Sequence, residues 1–331
     1  MTLAGHGPNI GHGYVKYIVI DEHGQELPPV IFPAHLARAS GPVSGALTAV
    51  HAVELNGMRF WAGDDAQYAP SAQTILAQER LSDPVFIPAL VASAISRLGY
   101  LNGAGIGVCV SGLPATWAAD ADKARLLGAR LRAGVGAAMY ERITVIAEPL
   151  GLAYAALLDN DGQVVGDPAF AAGRIGVVDL GHLTVDRSEI LRLAPVKAAM
   201  DTYGLGTKNP LIQIRARLSA HVERELSLVE TDMAIRSGAV QVAGRPVPLP
   251  LGWDRPLIEN GQAVRDRLVE AWGAGNHLDV ILLGGGGAEL DPLTSAIMAS
   301  FPHAMVVEEP QTAIARGYAR LARRQAMQGQ S

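Results

Sequence analysis

The chain has a single cysteine, Cys109, so no internal disulfide can form. Its setting, Ile106-Gly107-Val108-Cys109-Val110, reads as a small core side chain on an apolar strand. No apolar run approaches the roughly 20 residues of a membrane span, and no signal-peptide pattern precedes the first motif. These absences place the protein in the cytoplasm, with no membrane insertion expected. Strong charge of one sign is missing as well. Charged residues make up 18% of the chain and the net charge is −5, which argues against direct coating of nucleic acid. One local basic group, Arg316, Arg320, Arg323 and Arg324, reads as the solvated face of a last helix. Core material is plentiful. Hydrophobic residues are 49% of 331, which suits two cores better than one.

The pattern alternates strands and helices, as in layered α/β folds. Asp21-Glu22-His23-Gly24 turns one hairpin. Asn56-Gly57 turns a second, between strands at 49–55 and 58–62, with a loop over 28–45. Helical spacing of Ile87, Leu90, Val91, Ala94, Ile95 and Leu98 predicts a helix over 84–98. A strand at 106–110 leads to Ser111-Gly112-Leu113-Pro114, and a helix is expected over 119–131. A strand at 143–146 ends at Ala147-Glu148. Pro149 then opens a helix to 158, at a position that needs no N–H. The polar connection 160–168 reads as a boundary between halves. The second half begins with strands at 174–179, 185–193 and 196–202. A flexible turn, Tyr203-Gly204-Leu205-Gly206-Thr207, precedes a long helix over 209–228, which a proline-bearing stretch at 238–251 breaks. Helices at 258–272 and 293–300, strands at 280–283 and 304–307, and a last helix at 311–322 follow. The polar tail 325–331 is expected to be disordered.

Three segments carry chemistry. In Val177-Val178-Asp179-Leu180-Gly181-His182-Leu183-Thr184-Val185-Asp186 an apolar strand reaches an acid, turns at a glycine and returns. Asp179 suits a magnesium ion held through water, since that ion prefers oxygen ligands and keeps much of its hydration. The backbone at Gly181 and the Thr184 hydroxyl suit phosphate oxygens. A related hairpin stands at Asn9-Ile10-Gly11-His12-Gly13-Tyr14-Val15-Lys16, where Lys16 offers a point charge for phosphate. His12 and His182 occupy matching places, with no acid or cysteine at ligand spacing, and read as turn residues. The third segment is the strand 280–283 ending in Gly284-Gly285-Gly286-Gly287, followed by Ala288-Glu289-Leu290. Glycines there let a flat ligand lie against backbone. Their spacing does not match a dinucleotide fingerprint with its ribose-binding acid.

The order of the Lys16 hairpin, Glu148, the Asp179 hairpin and the glycine run resembles the actin superfamily. Within it the chain is most similar to the ParM/StbA-like plasmid-segregating bacterial actins. Ser111-Gly112-Leu113-Pro114, Ala147-Glu148-Pro149 and residues 281–290 carry the likeness, which spans residue 9 to about 322. The resemblance implies an α/β actin-like (ribonuclease H-like) fold of two related domains around a nucleotide cleft. Residues 1–160 plus 311–331 would form one domain and 161–310 the other. It implies ATP and ADP with Mg2+ as ligands. Glu148 would orient the attacking water and Asp179 would hold Mg2+ through water. Asn9, Gly11, His12, Gly13, Lys16, Gly181, His182, Thr184 and Asp186 would lie around the phosphates. Gly204, Lys208, Gly284, Gly285, Gly286, Gly287 and Glu289 would lie around the adenosine, with Arg215 and Glu223 as further candidates on the helix after Lys208. Asn9 departs from the family, which has an aspartate there. The amide keeps the shape and one acceptor oxygen and loses the charge.

The implied function is a Mg-dependent ATPase that forms filaments of its own copies and moves plasmid or other DNA through a DNA-bound adaptor protein. A small-molecule kinase of the same superfamily is the alternative, though no acidic substrate-binding segment stands out. A nucleotide-gated chaperone would need a further domain.

Overall fold

The computed structural model describes residues 3–39, 52–67, 79–99, 106–136, 139–165 and 168–329. The first part contains β1 (Ala4–Ile10), β2 (Tyr14–Ile20) and β3 (Val30–Pro33), then β4 (Leu36–Arg38), β5 (Ala52–Leu55) and β6 (Met58–Ala62). Helices α1 (Asp64–Gln67), α2 (Glu79–Ser82) and α3 (Phe86–Arg97) follow, then β7 (Gly107–Leu113), α4 (Ala121–Val135), β8 (Tyr140–Ala147) and α5 (Glu148–Leu157). The second part contains α6 (Pro168–Ala172), β9 (Arg174–Leu180), β10 (Val185–Leu191), β11 (Ala194–Pro195) and β12 (Asp201–Tyr203). It continues through α7 (Lys208–His221), α8 (Leu228–Ser237), β13 (Ala239–Val242), β14 (Arg245–Pro248) and α9 (Arg255–Trp272). The chain closes with β15 (Val280–Gly284), α10 (Asp291–Met298), β16 (Ala304–Val306) and α11 (Pro310–Gln328).

Two sheets repeat one topology. The first runs β3-β2-β1-β7-β8 and the second β11-β10-β9-β15-β16, with β12 also paired to β10. In each, an antiparallel hairpin (β1–β2, β9–β10) is extended by two parallel strands. Parallel strands need crossover connections, and the helices between them supply these. β4, β5 and β6 form a separate small sheet. A third apolar cluster lies between the two large sheets, joining Val108 and Val110 of β7 with Val177 of β9, Val280 and Leu282 of β15, and α5 and α11.

The polar, glycine-rich first strand is explained by α11. β1 is buried along its whole length. A Cβ on Gly7 would strike the Ala315 carbonyl and come 2.6 Å from the Ala319 nitrogen, and one on Gly5 would strike the Ala319 carbonyl. The helix backbone lies directly on the strand, so only glycine fits at these two positions. His6, in the same strand, is fully buried and its Nδ1 lies 3.2 Å from the Tyr17 hydroxyl.

Several elements differ from the sequence reading. The helix expected over 209–228 is two helices. α7 stops at His221, Glu223 takes a left-handed φ of 51°, and Ser227 with Glu230 caps α8 reciprocally. The strand expected at 196–202 is broken by a 3-10 turn, Lys197–Ala199, and is strand only from Asp201, because Arg192 and Leu193 (φ 52° and 63°) reverse the chain early. The proline-bearing stretch 238–251 contains the β13–β14 hairpin, turned by Ala243 and Gly244 at φ 49° and 76°. Its prolines 246 and 248 sit on a two-stranded edge, where a missing N–H is tolerated. The start of the strand expected at 49–55 and most of the loop's second half lie outside the described residues.

The end of the chain is the largest departure. α11 continues to Gln328, through most of the tail expected to be disordered. Its arginines are not a solvated face. Arg323 is 3% exposed and donates to the Leu3 carbonyl at 2.7 Å. Arg324 donates to the Gly162 carbonyl, Arg320 to Asn160 and the Ala155 carbonyl, and Arg316 pairs with Glu26 and Glu309. Cys109 is fully buried on β7, as its apolar setting implies.

Candidate functional site

The two hairpin turns are built alike. The Gly11 N–H donates to the Tyr14 carbonyl at 3.1 Å, and the Gly181 N–H donates to the Thr184 carbonyl at 3.0 Å. Cross-strand register places Asn9 opposite Lys16 in the first and Asp179 opposite Asp186 in the second. Residues paired across an antiparallel ladder share a face. The first hairpin therefore presents an amide beside an ammonium, and the second presents two carboxylates. The turns approach tip to tip: a Cβ on Gly13 would lie 3.1 Å from the His182 Cβ. Between them opens a cavity of about 280 Å³, lined by both turns, Glu148, the start of α7, α8 and the glycine run.

Glu148, at the junction of β8 and α5, joins Asp179 and Asp186 in a cluster whose carboxylate oxygens lie within 4.8 Å of one another. Asp186 is fixed by hydroxyl donors on both oxygens, Thr184 at 2.9 Å and Thr202 at 2.5 Å. Burial and the neighbouring Asp186 and Asp179 charges push Glu148 up to about 8, with Arg80 and Lys16 acting against the shift. Burial and Asp186 push Asp179 up to about 7, against the pull of Lys16. Burial also lowers Lys16, which Asp179 and Glu148 oppose. His12 falls to about 3 and His182 to about 4, both chiefly by burial, so each imidazole is neutral at pH 7. No direct ion pair within the described residues neutralises the three acids. Such a buried, mutually repelling oxygen set suits a hard divalent cation such as Mg2+.

The far wall is backbone and apolar surface. The Thr207 and Lys208 N–H groups donate to the Gly181 and His182 carbonyls at 3.1 and 2.8 Å, tying α7 to the turn. Gly285 takes φ 82°, and its Cα faces the Asp179 carboxylate at a contact no side chain would permit. Leu211, Leu228 and Val229 form an apolar side. Across the mouth, the Tyr14 hydroxyl donates to Asp232 at 3.2 Å, and Asp232 also takes the Arg236 Nε at 3.0 Å. Arg236 reaches the Gly286 carbonyl at 3.2 Å and pairs with Glu289.

Asn9, Gly11, His12, Gly13, Lys16, Glu148, Asp179, Gly181, His182, Thr184, Lys208, Gly285, Gly286 and Gly287 all line the cavity. Others do not. Asp186 stands behind Thr184 as its hydrogen-bond acceptor. Gly284 packs its backbone on Leu152, and Gly204 faces open space. Glu289 is engaged by Arg236 at the rim. Arg215 and Glu223 line a separate groove with Arg224 and Glu225, and not this cavity. Sequence reasoning missed Tyr14, Asp232, Arg236 and Gln311, which also line the cavity. Asp232 and Arg236, four apart on one helix, were the readable signal; without knowing which face of α8 turned inward it had no meaning.

No family sequence model matches the chain, and no curated protein sequence does. Solved structures match over nearly its full length. The chain is similar to a subunit of a 15-stranded ParM filament from Clostridium botulinum, with TM-score 0.70, 17% identity, 98% of this chain and 100% of that one covered. It is similar to an archaeal actin homologue in complex with ADP, with TM-score 0.70, 18% identity and the same coverage. It is also similar to Bacillus thuringiensis ParM with ATP, with TM-score 0.64, 14% identity, 99% and 100% covered. The chain has the actin-like fold. Its form is the one shared by ParM proteins and archaeal actin homologues.

Proposed function

We propose that the protein binds ATP and ADP with Mg2+ in this cleft, hydrolyses ATP, and assembles with its own copies into nucleotide-dependent filaments in the cytoplasm. Segregation of plasmid or other DNA through a DNA-bound adaptor is the cellular role this reading favours. The observation that carries it is the pair of like-built hairpins facing one another, one bearing Lys16 and the other Asp179 beside Glu148 and Asp186. It gains support from neighbours of the same fold that were captured with ATP, with ADP and in a filament. The two domains are taken as 1–160 plus 311–331 and 161–310.

In this reading the turn N–H groups and Thr184 bind phosphate oxygens, and Lys16 neutralises part of their charge. Asp186 holds the Thr184 hydroxyl proton, leaving that oxygen's lone pairs toward the cleft. Mg2+, held through water by Asp179 and near the Asn9 amide oxygen, would offset charge on the phosphates. Glu148 orients a water for attack on the terminal phosphorus. The bond to the bridging oxygen breaks, ADP keeps that electron pair, and the water's proton passes to Glu148 or onward to the released phosphate. The raised affinity of Glu148 for protons suits a group that accepts one near neutral pH.

Glu148→Ala should bind ATP normally and hydrolyse it about 10²–10⁴-fold more slowly. Phosphate release and light scattering, followed together over one charge of ATP, test this. The variant should assemble and persist where wild-type filaments shrink. Normal phosphate release by the variant removes Glu148 from the mechanism. ATP turnover by wild type with no scattering signal favours the kinase alternative.

A further inference from the structure

A buried cation whose charge reaches the cleft stands on neither hairpin and behind the residues that line the cavity. Arg80 sits on α2, a single turn whose end is pinned from below: the Arg130 guanidinium donates to the Leu81 carbonyl at 3.2 Å and to the Ser82 carbonyl at 2.8 Å. Just beyond it, the Asp83 carboxylate caps α3 by accepting from the Val85 and Phe86 N–H groups. Arg80 is therefore carried on a fixed turn. Its side chain is 7% exposed, and its Nη1 has no hydrogen-bond partner among the described residues. It makes no ion pair there either. A buried guanidinium without a partner is costly, so the arrangement persists only if something pays that cost.

What surrounds Arg80 indicates the missing partner. Its charge acts on Glu148, His12 and Lys16, all of which line the cleft. Glu148 attracts it yet remains short of contact. The Lys16 ammonium repels it, so the position calls for an anion beside it. A guanidinium keeps its charge when buried and offers a planar fork matched to phosphate oxygens. Arg80 also acts on Glu148, the group proposed to orient the water.

We propose that Arg80 grips the terminal phosphoryl group of a nucleoside triphosphate, and so distinguishes triphosphate from diphosphate and stabilises the charge that develops during hydrolysis. This rests on the nucleotide reading above. A cation supplied in the same chain at this place acts as an arginine finger does, and such residues are worth about 10³–10⁵ in rate elsewhere.

The test compares wild type, Arg80→Ala and Arg80→Lys. Calorimetry with ADP and with a non-hydrolysable ATP analogue, both with Mg2+, reads binding; single-turnover phosphate release reads hydrolysis. For Arg80→Ala, ADP affinity should stay within about twofold of wild type, which also shows the fold is intact. Analogue affinity should fall at least tenfold, and the rate should fall about 10³-fold. Arg80→Lys keeps the charge without the fork and should recover part of the rate. Equal weakening of ADP and analogue, or a wild-type affinity ratio with a wild-type rate, overturns the proposal. If Arg80→Ala does not fold, an unchanged rate and ratio in Arg80→Lys overturns it. Wild-type protein that binds neither nucleotide sinks the nucleotide reading itself, which separates that failure from a failure of Arg80 alone.

Discussion

At the residue scale, the cleft holds more negative charge than it can keep without a ligand. Glu148 and Asp179 have folded-state proton affinities above their ordinary range, about 8 and about 7. The folded protein therefore binds protons that the unfolded chain has released, and stability falls as pH rises through these values. His12 and His182 act oppositely: their lowered values cost stability as pH falls below about 6.5, the ordinary value for histidine. Above that point these two histidines no longer contribute. The melting temperature of ligand-free protein should drop between about pH 6.5 and 8, and MgATP should flatten the drop. A melting temperature that climbs over this range would contradict the acid cluster. Asp179→Ala should abolish Mg-dependent ATP binding, and Lys16→Ala should weaken it, as read by calorimetry. Asn9 sits opposite Lys16 and near Gly11. Asn9→Asp should tighten the Mg2+ dependence of ATPase activity, and an unchanged titration would take Asn9 out of the metal's surroundings. Glu148, Asp179, Asp186 and Lys16 were legible because short polar motifs interrupt apolar strands. Arg80 and Arg236 were not, because single arginines on helices carry no local pattern and gain meaning only from what packs against them.

At the element scale, strands proved easier to read than the ends of helices. The hairpins at 9–16 and 177–186 and the strand before the glycine run stand where their apolar runs put them. The break between α7 and α8 was missed because the segment between them has few breakers; Glu223 reverses the chain without a glycine. The β13–β14 hairpin was hidden by prolines that a buried strand would reject and an edge pair accepts. One close contact between elements is testable. α5 and α11 cross where Gly151 and Gly317 meet, and a Cβ on Gly317 would strike the Gly151 carbonyl and lie 2.7 Å from the Ala155 nitrogen. Gly317→Val should destabilise the protein by about 1–3 kcal/mol or more, measured by urea unfolding. Stability equal to wild type would mean the helices part easily at that point.

At the scale of the whole molecule, the repeat of one sheet topology explains why the cleft has two like-built walls. Two sequence segments over 160 residues apart take the same turn, with the same N–H to carbonyl bond, and their differences are confined to what each carries. No described helix is long and apolar enough to cross a membrane. The duplication was legible because both copies kept glycine and histidine at the turn. The partnership of the α11 arginines with Leu3, Ala155, Asn160 and Gly162 was not, since nothing in a run of arginines names an acceptor 160 or 320 residues away.

That partnership bears on synthesis. During translation β1 leaves the ribosome long before α11, yet Gly5 and Gly7 lack the cover of that helix until it lies on them. The glycine face must wait through the making of the described elements between them, and the arginine clasps to Leu3 and Gly162 close only once α11 is made. A chain stopped before Pro310 should remain soluble only with a chaperone's help and should give no cooperative melt. Supplying Pro310–Gln328 as a separate peptide should restore one. The growing polypeptide thus carries its own check, in which α11 certifies β1.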